Sequence, residues 1–365
     1  MEIINKLEKN RLLAALISRL SNLLLYFIRS VIPATNSNTL VIISLHKLGD
    51  TVFTIPAIRR LIAINKDKRI VIFAFSDSIE IYKLAIENVD FKELNSKHFI
   101  FGNRISKPSA RKSLKQEKPG EIYDLTGNIA SASLILFSRA KLVGMSSKYF
   151  KAMYDIYIPI RNKPHLVDRY LDIANLAYPK NIEDRDAVFP VFLQSHKKIL
   201  IHPFAGWHAK EWGLRNYIQL ALQLSKDYEV EIIAPSKIIP DDIICEIHAQ
   251  KIGICFTSTI NELITEIKKC FVLISNDSGP IQIASLLGKP TFSIYGPTNP
   301  TFSVPLGKQH KFVNKNLKCS PKDSQYCFTH AGLYCPSNEC MKIVDVKYVY
   351  TAFMNFVKEL ENQNA

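Results

Sequence analysis

Residues Phe271–Pro300, FVLISNDSGPIQIASLLGKPTFSIYGPTNP, decide the fold of this 365-residue chain. An apolar run from Phe271 to Ser275 leads into a turn carrying Asp277, Ser278 and Gly279. A short helical stretch enters through Pro280, and a second apolar run, Pro290 to Tyr295, closes on Gly296, Pro297 and Thr298. Strand, helix and strand in that order spell a βαβ unit of a parallel sheet. The turn after the first strand then lies at the carboxyl edge, where α/β folds bind ligands. Pro280 suits the first helical position, Ser278 or Asp277 can cap the helix, and Gly279 lets a ligand approach the backbone. Free N–H groups at such a helix start attract phosphate. A well-capped crossover helix with no ligand is the competing reading.

The segments before this unit repeat its pattern. Lys198 to Pro203 reads as a strand running into Phe204-Ala205-Gly206-Trp207-His208-Ala209-Lys210-Glu211-Trp212-Gly213. A helix is predicted over Leu214–Leu224, a strand over Val230–Ala234, a helix near Asp241–Gln250, a strand at Ile254–Phe256 and a helix over Asn261–Lys269. Lys210 follows a strand directly, so it is expected at the same edge as Asp277, as a phosphate clamp. Of the two tryptophans, Trp212 is assigned to packing, while Trp207 can also line a cleft with Gly206 beside it.

A similar pattern opens near Thr39. Thr39 to Leu45 is an apolar strand, His46-Lys47-Leu48-Gly49-Asp50 the turn after it, and Thr51 to Ile64 a helix. The turn has one glycine where a dinucleotide fingerprint needs three, which argues against a nicotinamide dehydrogenase. Asp50 has two readings, a helix cap and a general base at a cleft-facing turn. Further strands are expected over Arg69–Phe75, Ile122–Leu125 and Asp155–Ile160, with helices over Ser78–Glu87 and His165–Ala177. Lys97 to Lys118 carries seven basic residues against the single acid Glu117 and reads either as a solvated loop or as a surface for an anionic acceptor. Lys47, Arg104, Arg111 and Lys112 are the acceptor-binding candidates. The segment from 179 to 196 is predicted to be a linker.

Composition restricts the partners. The chain has 47 Lys and Arg against 33 Asp and Glu, a formal charge of +14, and is 47% hydrophobic, so it can bury a full core and should favour anions. No zinc-finger spacing, helix-turn-helix pattern or aromatic-rich RNA motif accompanies the charge, which demotes nucleic acid as a partner. Residues 1–33 read as an amphipathic helix, with Leu13, Leu16, Leu20, Leu24, Phe27 and Val31 on one face and Arg11, Ser18, Asn22 and Arg29 roughly opposite. The apolar stretch is short of a membrane span and is interrupted by Arg19, so it is expected to lie in a membrane interface or to pack on protein. Cys245, Cys255 and Cys270 fall in predicted core elements. Cys319, Cys327, Cys335 and Cys340 cluster near the end, open to a structural metal with His330 as a substitute ligand, to free thiols or to disulfides.

Six stretches together resemble the glycosyltransferase family 9 heptosyltransferases of the lipopolysaccharide inner core. They are LHKLGDTVFTIPAIRRL at Leu45–Leu61, YDLTGNIASA at Tyr123–Ala132, HLVDRYLDIA at His165–Ala174, HPFAGWHAKEW at His202–Trp212, NDSGPIQIASLLGKPTFSIYGPTNP at Asn276–Pro300 and CMKIVDVKYV at Cys340–Val349. The resemblance implies an α/β GT-B architecture, two Rossmann-like domains with parallel sheets facing a central cleft. An N-terminal acceptor domain over 39–178 and a nucleotide-sugar domain over 197–345, followed by a helix over 346–365, fit that plan. It further implies an inverting transfer from ADP-heptose with no metal cofactor required for catalysis and with Asp50 as general base; the alternatives are a related transferase using another nucleotide sugar or a protein acceptor, or a non-catalytic sugar-nucleotide-binding subunit. Lys210 would meet phosphate, and Asp277, Ser278 and Gly279 the sugar nucleotide. An enzyme of this kind is expected to be cytoplasmic, peripheral on the inner-membrane surface, with lipopolysaccharide core as acceptor. Family members usually carry histidine three residues after the glycine of the DSG turn; this chain has Gln282, which can hydrogen-bond without a histidine's charge. The frequent K-x-W-P and C-x-P-C patterns become Lys210-Glu211-Trp212-Gly213 and Cys319-Ser320-Pro321-Lys322.

Overall fold

A computed structural model describes residues 11–32, 36–102, 104–146, 149–160, 165–177, 198–236, 238–327, 335 and 337–362. Both the expected linker over 179–196 and His330 lie outside the described residues. The chain forms two compact units. The first takes the described residues of Met1–Lys47, Phe53–Arg161 and Val167–Asn181, the second those of Leu48–Val52, Asn162–Leu166 and Ile182–Ala365.

The first unit is built on strands β1 (Thr39–Ser44), β2 (Arg69–Phe75), β3 (Asp90–Leu94), β6 (Glu121–Asp124), β7 (Lys141–Ser146) and β8 (Ile156–Pro159), in the order β3-β2-β1-β6-β7-β8. Every pairing is parallel, with Leu40 opposite Ile70 on one side and Glu121 on the other. Central strands buried on both faces read as unbroken apolar runs, which is why TLVIIS and RIVIFAF are recognisable. The short hairpin of β4 (Phe99–Ile100) and β5 (Ile105–Ser106) follows the third strand. Helices α1 (Arg11–Ser30), α2 (Leu48–Ile64), α3 (Ser76–Lys83), α4 (Pro108–Gln116), α5 (Ile129–Ile135) and α6 (Leu166–Ala177) accompany these strands in the chain.

The basic stretch expected as a solvated loop is instead ordered into the hairpin and α4. Pro108 opens that helix, and Ala110 and Leu114, one turn apart, are its buried stripe. Two buried positions hold nine residues, with Arg111 and Ser113 half-buried and the rest exposed. Strand β3 was also absent from the sequence reading, because its pattern is that of a charged edge strand with only Leu94 fully buried. At β7, Gly144 hides the strand signal, but a Cβ there would come within 2.8 Å of the Asp124 carbonyl oxygen.

In the second unit β9 (Lys198–His202), β10 (Glu229–Pro235), β11 (Gly253–Thr257), β12 (Val272–Asn276), β13 (Thr291–Tyr295) and β14 (His310–Asn314) form a parallel sheet in the order β11-β10-β9-β12-β13-β14. Helices α7 (Leu214–Leu224), α8 (Asp241–Ala249), α9 (Ile260–Lys269), α10 (Gly279–Leu286), α11 (Pro300–Ser303), α12 (Glu339–Lys342) and α13 (Val346–Asn362) follow. The last helix seals the core: Phe353 and Phe356 place their rings 5.4 and 5.9 Å from that of Phe292. Burying such side chains contributes roughly 1.5–3 kcal/mol each. Trp212 is buried, as packing requires, and its indole N–H donates to the Val344 carbonyl. Cys245 departs from expectation: it is exposed on α8, while Cys270 is buried.

Candidate active site

The Phe271–Pro300 stretch folds as β12, α10 and β13, and the turn between the first two sits at the carboxyl edge of the second sheet. Gly279 is the first helical residue and Pro280 the second. Ser278 occupies the cap position but makes no capping bond; its hydroxyl lies 3.0 Å from that of Ser275, which donates to the His202 carbonyl. Asn276 fixes the turn from below. Its carbonyl oxygen accepts from the Trp212 N–H and the Tyr217 hydroxyl, and its amide donates to the Pro203 carbonyl.

Lys210 and Asp277 meet at this edge, with Nζ donating to Oδ2 over 2.7 Å. Asp277 is 6% exposed, and its other oxygen accepts from the Ser303 hydroxyl at 3.3 Å. Burial, and then the charge of Asp277, raise the Tyr295 hydroxyl well above its usual pKa. The Lys210 ammonium also lies 4.7 Å from the centre of the Trp207 ring, which itself lies 5.0 Å from the Tyr326 ring. Glu211 steadies the stretch by accepting from the Ala205 N–H. Gly206 has open space around it. Gln282 is buried and donates to the Ser303 carbonyl at 2.6 Å, so it braces the residue that braces Asp277.

The second unit also holds the start of α2. A Cβ on Gly279 would lie 3.1 Å from Leu48 Cβ and 3.4 Å from the Gly49 nitrogen, so the two helix starts abut through glycine. Gly279 thus serves close backbone packing. Asp50 is the third residue of α2, and Lys47 is the cap residue, without a side-chain capping bond. The capping reading of Asp50 is therefore wrong: its carboxylate stands in the first helical turn, where the helix dipole favours negative charge. Two helix N-termini and one ammonium group at a single place form an anion-binding arrangement, with a carboxylate beside it.

The acceptor candidates separate. Lys47 is exposed at the carboxyl edge of the first sheet, and Arg104 is exposed in the hairpin after β3. Arg111 and Lys112 line a cavity of about 720 Å³ elsewhere in that unit. The TGN turn after β6 is ordered from within: Asp124 accepts from the Thr126 and Gly127 N–H groups and the Tyr154 hydroxyl, and Asn128 caps α5.

The metal expectation finds no support at its cysteines. Burial first, and then the thiols of Cys327, Cys335 and Cys319, push Cys340 up to about 11, so the four share a neighbourhood. Among the described residues, however, the one group of three metal-competent side chains with ligand atoms within 4.8 Å is Glu231, Cys255 and Glu266. That group already has Lys198 against Glu231 at 2.8 Å. Among the described residues the four cysteines do not bring three ligand atoms within 4.8 Å of one another, and His330 lies outside those residues.

Sequence reasoning missed Asn276, Ser303 and Tyr326. Asn276 was quoted within its motif but given no role; Ser303 lies beyond the stretch, and Tyr326 sits among the cysteines, paired to Thr298 across a single bridge.

Two six-stranded parallel sheets with loops at their carboxyl edges have the GT-B architecture. Residues 108–331 match the model of glycosyltransferase family 9 (heptosyltransferase), and the chain belongs to that family. It is 26% identical over 333 residues to the lipooligosaccharide heptosyltransferase 2 of Campylobacter jejuni serotype O:2, covering 85% of this chain and 96% of that one. Its structure is similar to that of the ADP-heptose lipopolysaccharide heptosyltransferase II of E. coli, with a TM-score of 0.65, 18% identity and coverage of 88% and 99%. A family 9 glycosyltransferase from Veillonella parvula is similar at a TM-score of 0.70, with 17% identity and coverage of 89% and 99%.

Proposed function

We propose that this glycosyltransferase moves heptose from ADP-heptose to a lipopolysaccharide inner-core acceptor, with inversion at the anomeric carbon. Asp50 would take the proton of the acceptor hydroxyl as its oxygen attacks that carbon, while the bond to ADP breaks on the opposite face. Lys210 and the N–H groups starting α10 would stabilise charge on the departing diphosphate. Asp277 holds the Lys210 ammonium in place, Ser278 and Gly279 form the turn beneath the diphosphate, Trp207 beside Gly206 offers a flat wall, and Gln282 steadies the assembly from inside. Lys47 and Arg104 would face the anionic acceptor. The observation that supports the reading is the abutment of the Gly49-Asp50 helix start on Gly279 within one unit, since the proposed base and the proposed phosphate turn are then neighbours. The names of the relatives support the donor and acceptor classes.

The enzyme would work at the cytoplasmic face of the inner membrane. No helix among the described residues is long and apolar enough to cross a membrane; the proposed contact is peripheral, through the outward apolar face of α1. The decisive assay is ADP release from ADP-heptose by purified protein, with and without lipopolysaccharide truncated in its inner core, beside Asp50→Asn. Acceptor-dependent release that collapses in the variant is expected. Release from another nucleotide sugar alone would replace the donor, and release undiminished in Asp50→Asn would remove the base.

A further inference from the structure

Helix α1 is mounted with its polar side inward. The Ser21 hydroxyl donates to the Tyr149 carbonyl, the Asn22 side-chain oxygen accepts from the Ala152 N–H, and Arg29 donates to the Ser138 and Ala140 carbonyls and to Asp155. Leu25 packs on the core of the unit, but Leu20 is 58%, Leu24 62% and Phe27 58% exposed, and Val31 just beyond the helix is 79% exposed. Arg19 is exposed among them. A helix that spends its polar groups on protein and presents its apolar face outward has the design of an interfacial anchor.

The cavity of about 720 Å³ begins where this helix ends. Arg111, Lys112, Lys115, Lys118 and Arg139 line it, among the described residues no acidic one is in its wall, and Ile32, Leu134 and Phe137 supply apolar surface beside them. Among the described residues none of the five cations is in an ion pair. Ser138, which takes a hydrogen bond from Arg29, is on the cavity wall, so helix and cavity are joined physically.

Its position in the fold separates it from the chemistry. Ile32 precedes β1, Lys118 and Pro119 precede β6, and Arg139 precedes β7, so the cavity lies at the amino edge of a parallel sheet. The Leu45-His46 and Thr126-Gly127 turns lie at the carboxyl edge, a strand length of roughly 13 Å away.

We infer that this amino-edge cavity binds the phosphodiester headgroup of an anionic membrane phospholipid while the outward leucines of α1 lie in the same bilayer. The inference rests on the membrane reading of α1 and is independent of the transfer reaction. Five unpaired cations match a phosphate-rich surface, and the apolar side chains among them match the glycerol and upper acyl region. An apolar face and basic residues together give the two signals that stable anchoring requires.

The test is co-sedimentation of the full chain with phosphatidylcholine vesicles with and without phosphatidylglycerol. Two variants are compared, Lys115→Gln/Lys118→Gln/Arg139→Gln and Leu20→Ser/Leu24→Ser, with thermal unfolding confirming that each folds. Wild type should prefer the anionic vesicles, and the triple variant should lose that preference by roughly a hundredfold. Added salt should weaken the wild type far more than the triple variant. A folded triple variant that keeps the anionic preference while the leucine variant loses binding would overturn the headgroup site and leave α1 as the anchor. Wild type that binds neither vesicle would overturn both readings, with ADP release still free to succeed. If the triple variant fails to fold, Arg139→Gln alone should cost several-fold, and an unchanged preference there would overturn the site.

Discussion

Asp124 and Asp277 stand at the ends of parallel strands in the two units and are held in opposite ways. Asp124 is fully buried, and besides the Tyr154 and Ser131 side chains it takes two backbone N–H groups of its own turn, which cannot leave without unmaking that turn. Asp277 takes a lysine ammonium and a serine hydroxyl, both on side chains that can reorient. The same carboxylate is thus a structural cross-piece in one unit and half of an exchangeable ion pair in the other. The identity of the donors, more than the burial of the acid, separates the scaffold from the proposed site.

Asp50 marks the far end of that scale. Among the described residues its carboxylate enters no hydrogen bond or ion pair, which leaves it open to the proton transfer proposed for it. Asp50→Asn should lower kcat by about 10²–10⁴-fold with unfolding unchanged, since general base catalysis is of that size. Lys210→Met comes next. It deletes the one ammonium at the turn, so kcat/KM for the donor should fall by about 10²-fold, as when a preorganised charge donor is removed. A Lys210→Met enzyme with normal kcat/KM would place the diphosphate elsewhere.

Asp124 should answer in stability. Asp124→Ala orphans two buried N–H groups and the Tyr154 hydroxyl and should cost about 2–3 kcal/mol in unfolding free energy. Asp124→Asn keeps the acceptor and should cost far less. Burial raises the Asp124 pKa above its ordinary 3.8, against the pull of its hydrogen bonds. The folded state therefore holds this proton more tightly than the unfolded chain. Its stabilising contribution is complete below the unfolded pKa and is lost as pH rises through the folded one. Unfolding measured against pH should lose that component in Asp124→Asn. An Asp124→Ala enzyme of full stability but no activity would reverse the assignment and make the first unit's turn a site.

Much of this contrast could be read in the sequence, unevenly. The central strands and the DSG turn were legible because strands buried on both faces leave unbroken apolar runs, and because turns before helices require glycine, proline and small polar residues. Lys210 could be aimed at Asp277 because both follow adjacent parallel strands, β9 and β12. The basic stretch misled, since α4 is held by Ala110 and Leu114 alone and composition cannot show which two residues are buried. Arg111 and Lys112 were grouped with Arg104 by charge, but a helix running back along the sheet carries them towards its other edge. Ser303 was invisible for another reason: its role depends on where a short helix 26 residues further on places one hydroxyl.

Gln282 gives the smallest and most discriminating effect. Its amide donates to the Ser303 carbonyl at 2.6 Å, and the Ser303 hydroxyl in turn donates to Asp277. Gln282→Leu leaves that buried carbonyl unpaired, at a cost of about 1 kcal/mol. It should also loosen Asp277 and raise KM for the sugar nucleotide several-fold while kcat moves less. Gln282→His restores a donor of similar kind, but one that titrates near neutral pH. If Gln282 only braces Ser303, the histidine variant should recover most of the donor KM with little new pH dependence, because the contact is buried. A histidine variant whose turnover rises as it protonates would mean that position 282 reaches the diphosphate itself, and the brace would then belong to the site it supports.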